Sequence, residues 1–173
     1  ITLESILRYA TGNKVIYKCH IMHALMECGI ADSFYGDIYN ELFSPESENN
    51  IIVKPAFSPV NEVIDAIHEA GGIAILAHAG HYDNFDLLEE LIPQGLDGVE
   101  VWHPKNTPEQ TEKLKAVARE NKLLMTGGSD FHGMYSATPR KIGDYTMPQE
   151  DLDLLLKYQA KKKRQQKRAE ATK

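Results

Sequence analysis

From Ile51 onward the apolar positions alternate between two rhythms. Val60, Val63, Ile64 and Ile67 recur at i, i+3, i+4 and i+7, the spacing of one helical face. Ser58 stands where it can cap that helix, Pro59 suits its first turn, and Gly71-Gly72 end it. The unbroken apolar run over residues 73–77 predicts a strand buried on both faces. A helix is expected over residues 84–92, stopped by Pro93 and Gly95, and a strand over 98–102. The next helix opens on Thr107-Pro108-Glu109-Gln110, a capping Thr with a first-turn Pro and a Gln three residues on; its apolar face is Leu114, Val117 and Ala118. A third strand, residues 122–126, runs into Gly127-Gly128. Strand and helix thus alternate about every 25 residues, which predicts βαβ units and a parallel sheet in an α/β fold, either open or closed into a barrel.

The N-terminal third lacks this regularity. Short helices are expected over residues 18–27, ended by Gly29, and over 34–43; Ser44 to Asn50 is all turn formers and charge and reads as an exposed loop. The chain has 173 residues, enough for one sizeable core, and 42% hydrophobic with 25% charged residues is a globular composition. No run approaches the roughly 18 apolar residues of a spanning helix, and no export signal is visible. Cys19 and Cys28 make a poor disulfide framework, so reduced thiols and a cytoplasmic location are expected. The net charge of −6 conceals a basic end: residues 157–173 hold eight Lys or Arg against Glu170 alone. Such a tail suits nucleic acid or simply a solvated, fraying helix, and its one aromatic residue, Tyr158, is little on which bases could stack.

Chemistry in parallel α/β folds collects where strands end, because the loops there converge on one edge. Ala77-His78-Ala79-Gly80-His81 follows the first strand, and Gly127-Gly128-Ser129-Asp130-Phe131-His132-Gly133 follows the third. His78, Asp130 and His132 should therefore meet, and imidazole with carboxylate suits Zn, Mn or Fe. His81 reads as a loop residue, His103 as either a supporting group or part of an ordinary His-Pro turn, and Glu100 as structural or supporting. His68 falls on the exposed side of its helix, and His20 and His23 share a helical face without a clear task. No nucleophile elbow and no phosphate-cradling glycine motif occurs.

At these residues the chain resembles the PHP (polymerase and histidinol phosphatase) superfamily. The likeness rests on Gly71 to Gly80, on Gly98-Val99-Glu100-Val101, and on Gly127 to Gly133. It extends from about residue 18 to 156 with the motifs in the family's order, and is nearest the bacterial stand-alone metal-dependent phosphoesterases acting on nucleoside bisphosphates and RNA ends. The resemblance implies a distorted (β/α)7 barrel with up to three divalent metals, Mn, Zn or Fe. It implies that His78, Asp130 and His132 are ligands, with Ala79 standing where the family's His-Pro-Gly has proline. Lys18 and His20 match an Arg-Pro-His segment near the substrate phosphate; Lys18 keeps the charge without the bidentate fork of arginine.

The family's opening His-x-His motif, and the His and Glu ligands after it, have no counterpart in these residues, and the chain begins at Ile1. The expectation is a C-terminal portion: residues 1–50 an insertion or cap region, 51–156 part of the barrel, 157–173 a basic tail. The intact protein would hydrolyse phosphate monoesters on a small phosphorylated substrate or an RNA end, while this portion alone would be inactive. A non-catalytic domain that binds a partner or nucleic acid through its tail, and a histidinol phosphatase, are the alternatives.

Overall fold

The computed structural model describes residues 1–12, 15–136, 138 and 140–170, with backbone alone over 165–170. Two compact units emerge, one of residues 1–56 with 133–138, the other of 57–132 with the chain from 139 onward.

The first unit is helical. α1 (Leu3–Leu7) starts on a reciprocal cap in which the Ser5 amide donates to Thr2 Oγ1 and the Thr2 amide to Ser5 Oγ. α2 (Lys18–Glu27) spans the expected residues and stops where Gly29 adopts φ +68°. α3 (Asp37–Phe43) starts later than expected, after Gly36. Met22, Leu25, Ala31 and Phe43 form the core of this unit. His23 is no idle surface residue: it stacks on Tyr9, and its Nε2 lies 2.9 Å from the Tyr135 hydroxyl.

The second unit carries the alternating pattern. Its elements are α4 (Val60–Glu69), β1 (Ile75–Leu76), α5 (Phe85–Leu91), β2 (Gly98–Trp102), α6 (Pro108–Glu120), β3 (Leu124–Gly127) and α7 (Gln149–Glu170). The three strands form one parallel sheet in the order β1-β2-β3. Val99 and Val101 of β2, fully buried, pack with Leu88 and Leu91 of α5 and Leu114 and Ala118 of α6. The Thr107 capping box forms as expected, with the Gln110 amide donating to Thr107 Oγ1. Gly127 is required by close approach: a Cβ there would lie 2.5 Å from the Trp102 carbonyl oxygen.

Three expectations need correction. β1 is two residues long and half-buried, because it borders only β2 among the described residues; Ala74 and Ala79 on either side are the buried positions. On α4, Ile64 is buried whereas Val60 and Val63 are exposed, and Pro59, not Ser58, holds the cap position. Lastly, the basic end continues a 22-residue helix, α7, that is tied into the fold. Asp97, just ahead of β2, takes hydrogen bonds from Tyr158 and Lys162 of α7 and from the Ala74 amide, and His68 Nε2 lies 2.8 Å from its Oδ2. His68 is therefore a structural partner. Residues 171–173 of the expected tail lie outside the described residues. No helix among the described residues is long and apolar enough to cross a membrane.

Candidate metal-binding site at the strand ends

Each strand of the sheet delivers one polar group just past its carboxyl end. His78 comes two residues after β1, His103 directly after β2, and Asp130 three residues after β3. The potential ligand atoms of these three all lie within 4.8 Å of one another. Between Glu100 and Trp102, β2 advances two residues against one of β3, an irregularity of the kind that redirects a chain as it enters a site.

Backbone conformation marks two of the three. His78 and Asp130 have φ of +61° and +48°, and only two other non-glycine residues among those described, Asp83 and Lys122, have positive φ. L-residues reach this left-handed region at a cost of about 1–3 kcal/mol each, sustained only when the surroundings demand it. Part of that demand is visible at His78, whose amide donates to Glu100 Oε2 at 2.9 Å. Glu100 thus supports the site from within β2.

Asp130 is the electrostatic centre. Its Oδ2 lies 3.3 Å from Arg140 Nη1 and 3.6 Å from His103 Nε2, and its Oδ1 lies 3.5 Å from His132 Nδ1. His132 is exposed and falls outside the three-residue group, but its Nδ1 sits 2.8 Å from the Asp130 carbonyl oxygen. A carbonyl only accepts, so Nδ1 carries the proton and Nε2 keeps a free lone pair, the arrangement of a ligand histidine. His103 is 2% exposed, and its buried Nε2 has no hydrogen-bond partner. Leaving such a group unmatched costs about 1–3 kcal/mol. Burial pushes the His103 imidazole below its usual pKa, against the opposing pull of Glu100 and Asp130. His81 is also lowered, by burial and then by Lys105, whose Nζ is 3.3 Å from His81 Nε2.

The nitrogen and oxygen donors fit a divalent cation. The structure brings together His78, Asp130 and, beside them, His132. Lys18 and His20 belong to the first unit, at the start of α2. His20 Nδ1 there accepts from the Tyr17 amide at 3.2 Å, which leaves Nε2 as a donor. Sequence reasoning left His103 undecided and passed over Arg140. Position directly after a strand was the available signal for His103; a lone arginine in a loop carries none.

Fold and donors together define an α/β protein with an imidazole–carboxylate cluster at the carboxyl edge of a parallel sheet. No family model matches the chain. It is 32% identical over 141 residues to the phosphoribosyl 1,2-cyclic phosphate 1,2-diphosphodiesterase of Eggerthella lenta, covering 80% of this chain and 52% of that protein. It is 33% identical over 135 residues to the 5'-3' exoribonuclease Rnm of Escherichia coli, covering 75% and 45%. A Bifidobacterium adolescentis crystal structure, assigned as a metal-dependent phosphoesterase, superposes with a TM-score of 0.73 at 34% identity, over 90% of this chain and 56% of that one. These relatives, with the motifs in order, support a likeness to PHP-type phosphoesterases over most of this chain. It spans about half the length of the curated relatives it matches.

Proposed function

We propose that the protein containing this chain is a metal-dependent phosphoric ester hydrolase acting on nucleoside bisphosphates or RNA 5' ends. The observation that carries the reading is the cluster of His78, His103 and Asp130 past three successive parallel strands, two of its members held at positive φ. The relatives, named for cleaving cyclic phosphate, RNA and nucleoside bisphosphates, support the substrate class. The sheet is read as part of a distorted (β/α)7 barrel, with residues 1–50 as an insertion or cap region and the cytoplasm as its location.

In this reading His78, Asp130 and His132 hold a divalent cation, Mn, Zn or Fe. Such a metal supplies Lewis acidity at the phosphate and an activated water. Asp130 contributes the negative charge that makes a cation welcome, and Arg140 beside it fixes the carboxylate's direction. Lys18 and His20 are assigned to the substrate phosphate on the family likeness, and the donor tautomer of His20 suits that task. The basic residues of α7 are a further candidate for contact with nucleic acid, although Lys162 is engaged with Asp97.

The test is metal analysis of the whole protein, with release of phosphate from a nucleoside 3',5'-bisphosphate and of nucleotides from 5'-phosphorylated RNA. Bound transition metal with turnover of either substrate supports the reading. Absence of both metal and hydrolysis defeats it in favour of a non-catalytic domain, and turnover of histidinol phosphate alone would redirect it.

A further inference from the structure

The three potential ligands grouped by distance are not equivalent, and the difference lies in which ring nitrogen is already in use. The Lys105 amide donates to His103 Nδ1 at 3.2 Å. A backbone amide can only donate, so Nδ1 holds a lone pair, and the proton of the ring sits on Nε2. To bind a cation through Nε2, His103 would have to move that proton to Nδ1, directly against the Lys105 amide. His132 shows the opposite arrangement, with Nδ1 donating to the Asp130 carbonyl oxygen. Two histidines bordering the same carboxylate are thus set in opposite tautomers by backbone groups.

Its position assigns His103 a task. The side chain is 1% exposed, its Nε2 lacks a partner, and that atom lies 3.6 Å from Asp130 Oδ2. Arg140 Nη1 approaches the same oxygen at 3.3 Å. Two N–H groups therefore face Oδ2, while Oδ1 is on the side of His132. We infer that His103 is not a cation ligand but a positioning residue, whose Nε2–H steers the Asp130 carboxylate so that one oxygen is held and the other is presented. The inference rests on the proposed metal-binding reading. It extends that reading by sorting ligand from support within one cluster, and it follows from hydrogen-bond direction where distance alone would make His103 a ligand.

Side-chain 15N NMR of the chain, without metal and with Zn2+ added, reads the tautomers directly. The expected result is a protonated Nε2 and unprotonated Nδ1 on His103 in both states, with the His78 and His132 signals moving on addition of Zn2+. Calorimetric Zn2+ titration of variants supplies a second readout. His103→Leu should weaken binding by about 10- to 100-fold, the effect of losing an outer partner of a ligand. His103→Gln, which keeps an N–H donor, should recover most of that loss. The inference is overturned if His103 Nε2 takes a metal-bound shift or Nδ1 is protonated. It is equally overturned if Gln binds as weakly as Leu, or if Leu binds as well as the unaltered chain. Failure of the whole protein containing this chain to bind Zn2+ would instead defeat the metal-binding reading, while the His103 tautomer is still read from the metal-free spectrum.

Discussion

The ammonium of Lys162 lies 3.0 Å from Asp97 Oδ2, joining α7 to the residue just ahead of β2 across 65 positions of sequence. Tyr158 and His68 complete the contact, so one carboxylate with 6% side-chain exposure holds α4, α7 and the start of the sheet. Removing the acceptor strands several half-buried donors at once. Asp97→Ala is expected to destabilise the second unit by about 3 kcal/mol, read as a lowered urea midpoint.

The same group sets a pH dependence with two limbs. Burial alone would raise the Asp97 pKa, but hydrogen bonds from Tyr158, Ala74, Lys162 and His68 together hold it below the usual value. Its stabilisation is present above the unfolded carboxylate pKa of about 4 and is lost as pH falls through the lower folded value. Tyr158 moves the other way, from 10.0 to about 12, through burial and then its hydrogen bond to Asp97. Its contribution is complete below the unfolded value and is lost as pH rises from there through about 12. Urea midpoints measured against pH should show both limbs, and Tyr158→Phe should remove the alkaline one.

Asp130→Asn keeps a side chain that tolerates positive φ while removing the charge. Its circular dichroism should match the unaltered chain. Its loss of Zn2+ affinity should exceed the roughly 10- to 100-fold typical of an outer partner. A titration indistinguishable from the unaltered chain would remove Asp130 from the ligand set.

Metal should also stabilise the fold by mass action. With free Zn2+ at about 100 times its Kd, unfolding should cost about 2.7 kcal/mol more than in chelator. Equal thermal midpoints with and without chelator would contradict a site formed by the folded chain.

Leu114 is fully buried between α6 and the sheet. Leu114→Ala should cost about 2–5 kcal/mol, measured by urea denaturation.

The elements were legible where local rules decide them. α2, β2 and the capped start of α6 lie where periodicity, Gly29 and the Thr107 box predict them. Expectation and structure part where neighbours decide. Val60 and Val63 carry a helical apolar rhythm but stay exposed, since period alone does not say what packs against it. Tyr158 and Lys162 sat in a stretch that reads as basic and solvated, and no local signal pairs them with Asp97. That polar groups would gather at the strand ends was foreseeable because parallel strands finish on one edge, and potential ligand atoms of His78 and Asp130 lie within 4.8 Å of one another.

The order of residues, by itself, determined where polar groups would leave each strand and which side chains they are, because both follow from spacing along one chain. Tertiary structure alone decided how those groups are used. Burial of His103, the Lys105 amide on its Nδ1 and the Asp130 carbonyl oxygen on His132 fix which nitrogen bears a proton. Those hydrogen bonds depend on backbone direction in the loops, including the positive φ of Asp130, and on burial by elements elsewhere in the chain. A one-dimensional pattern holds neither.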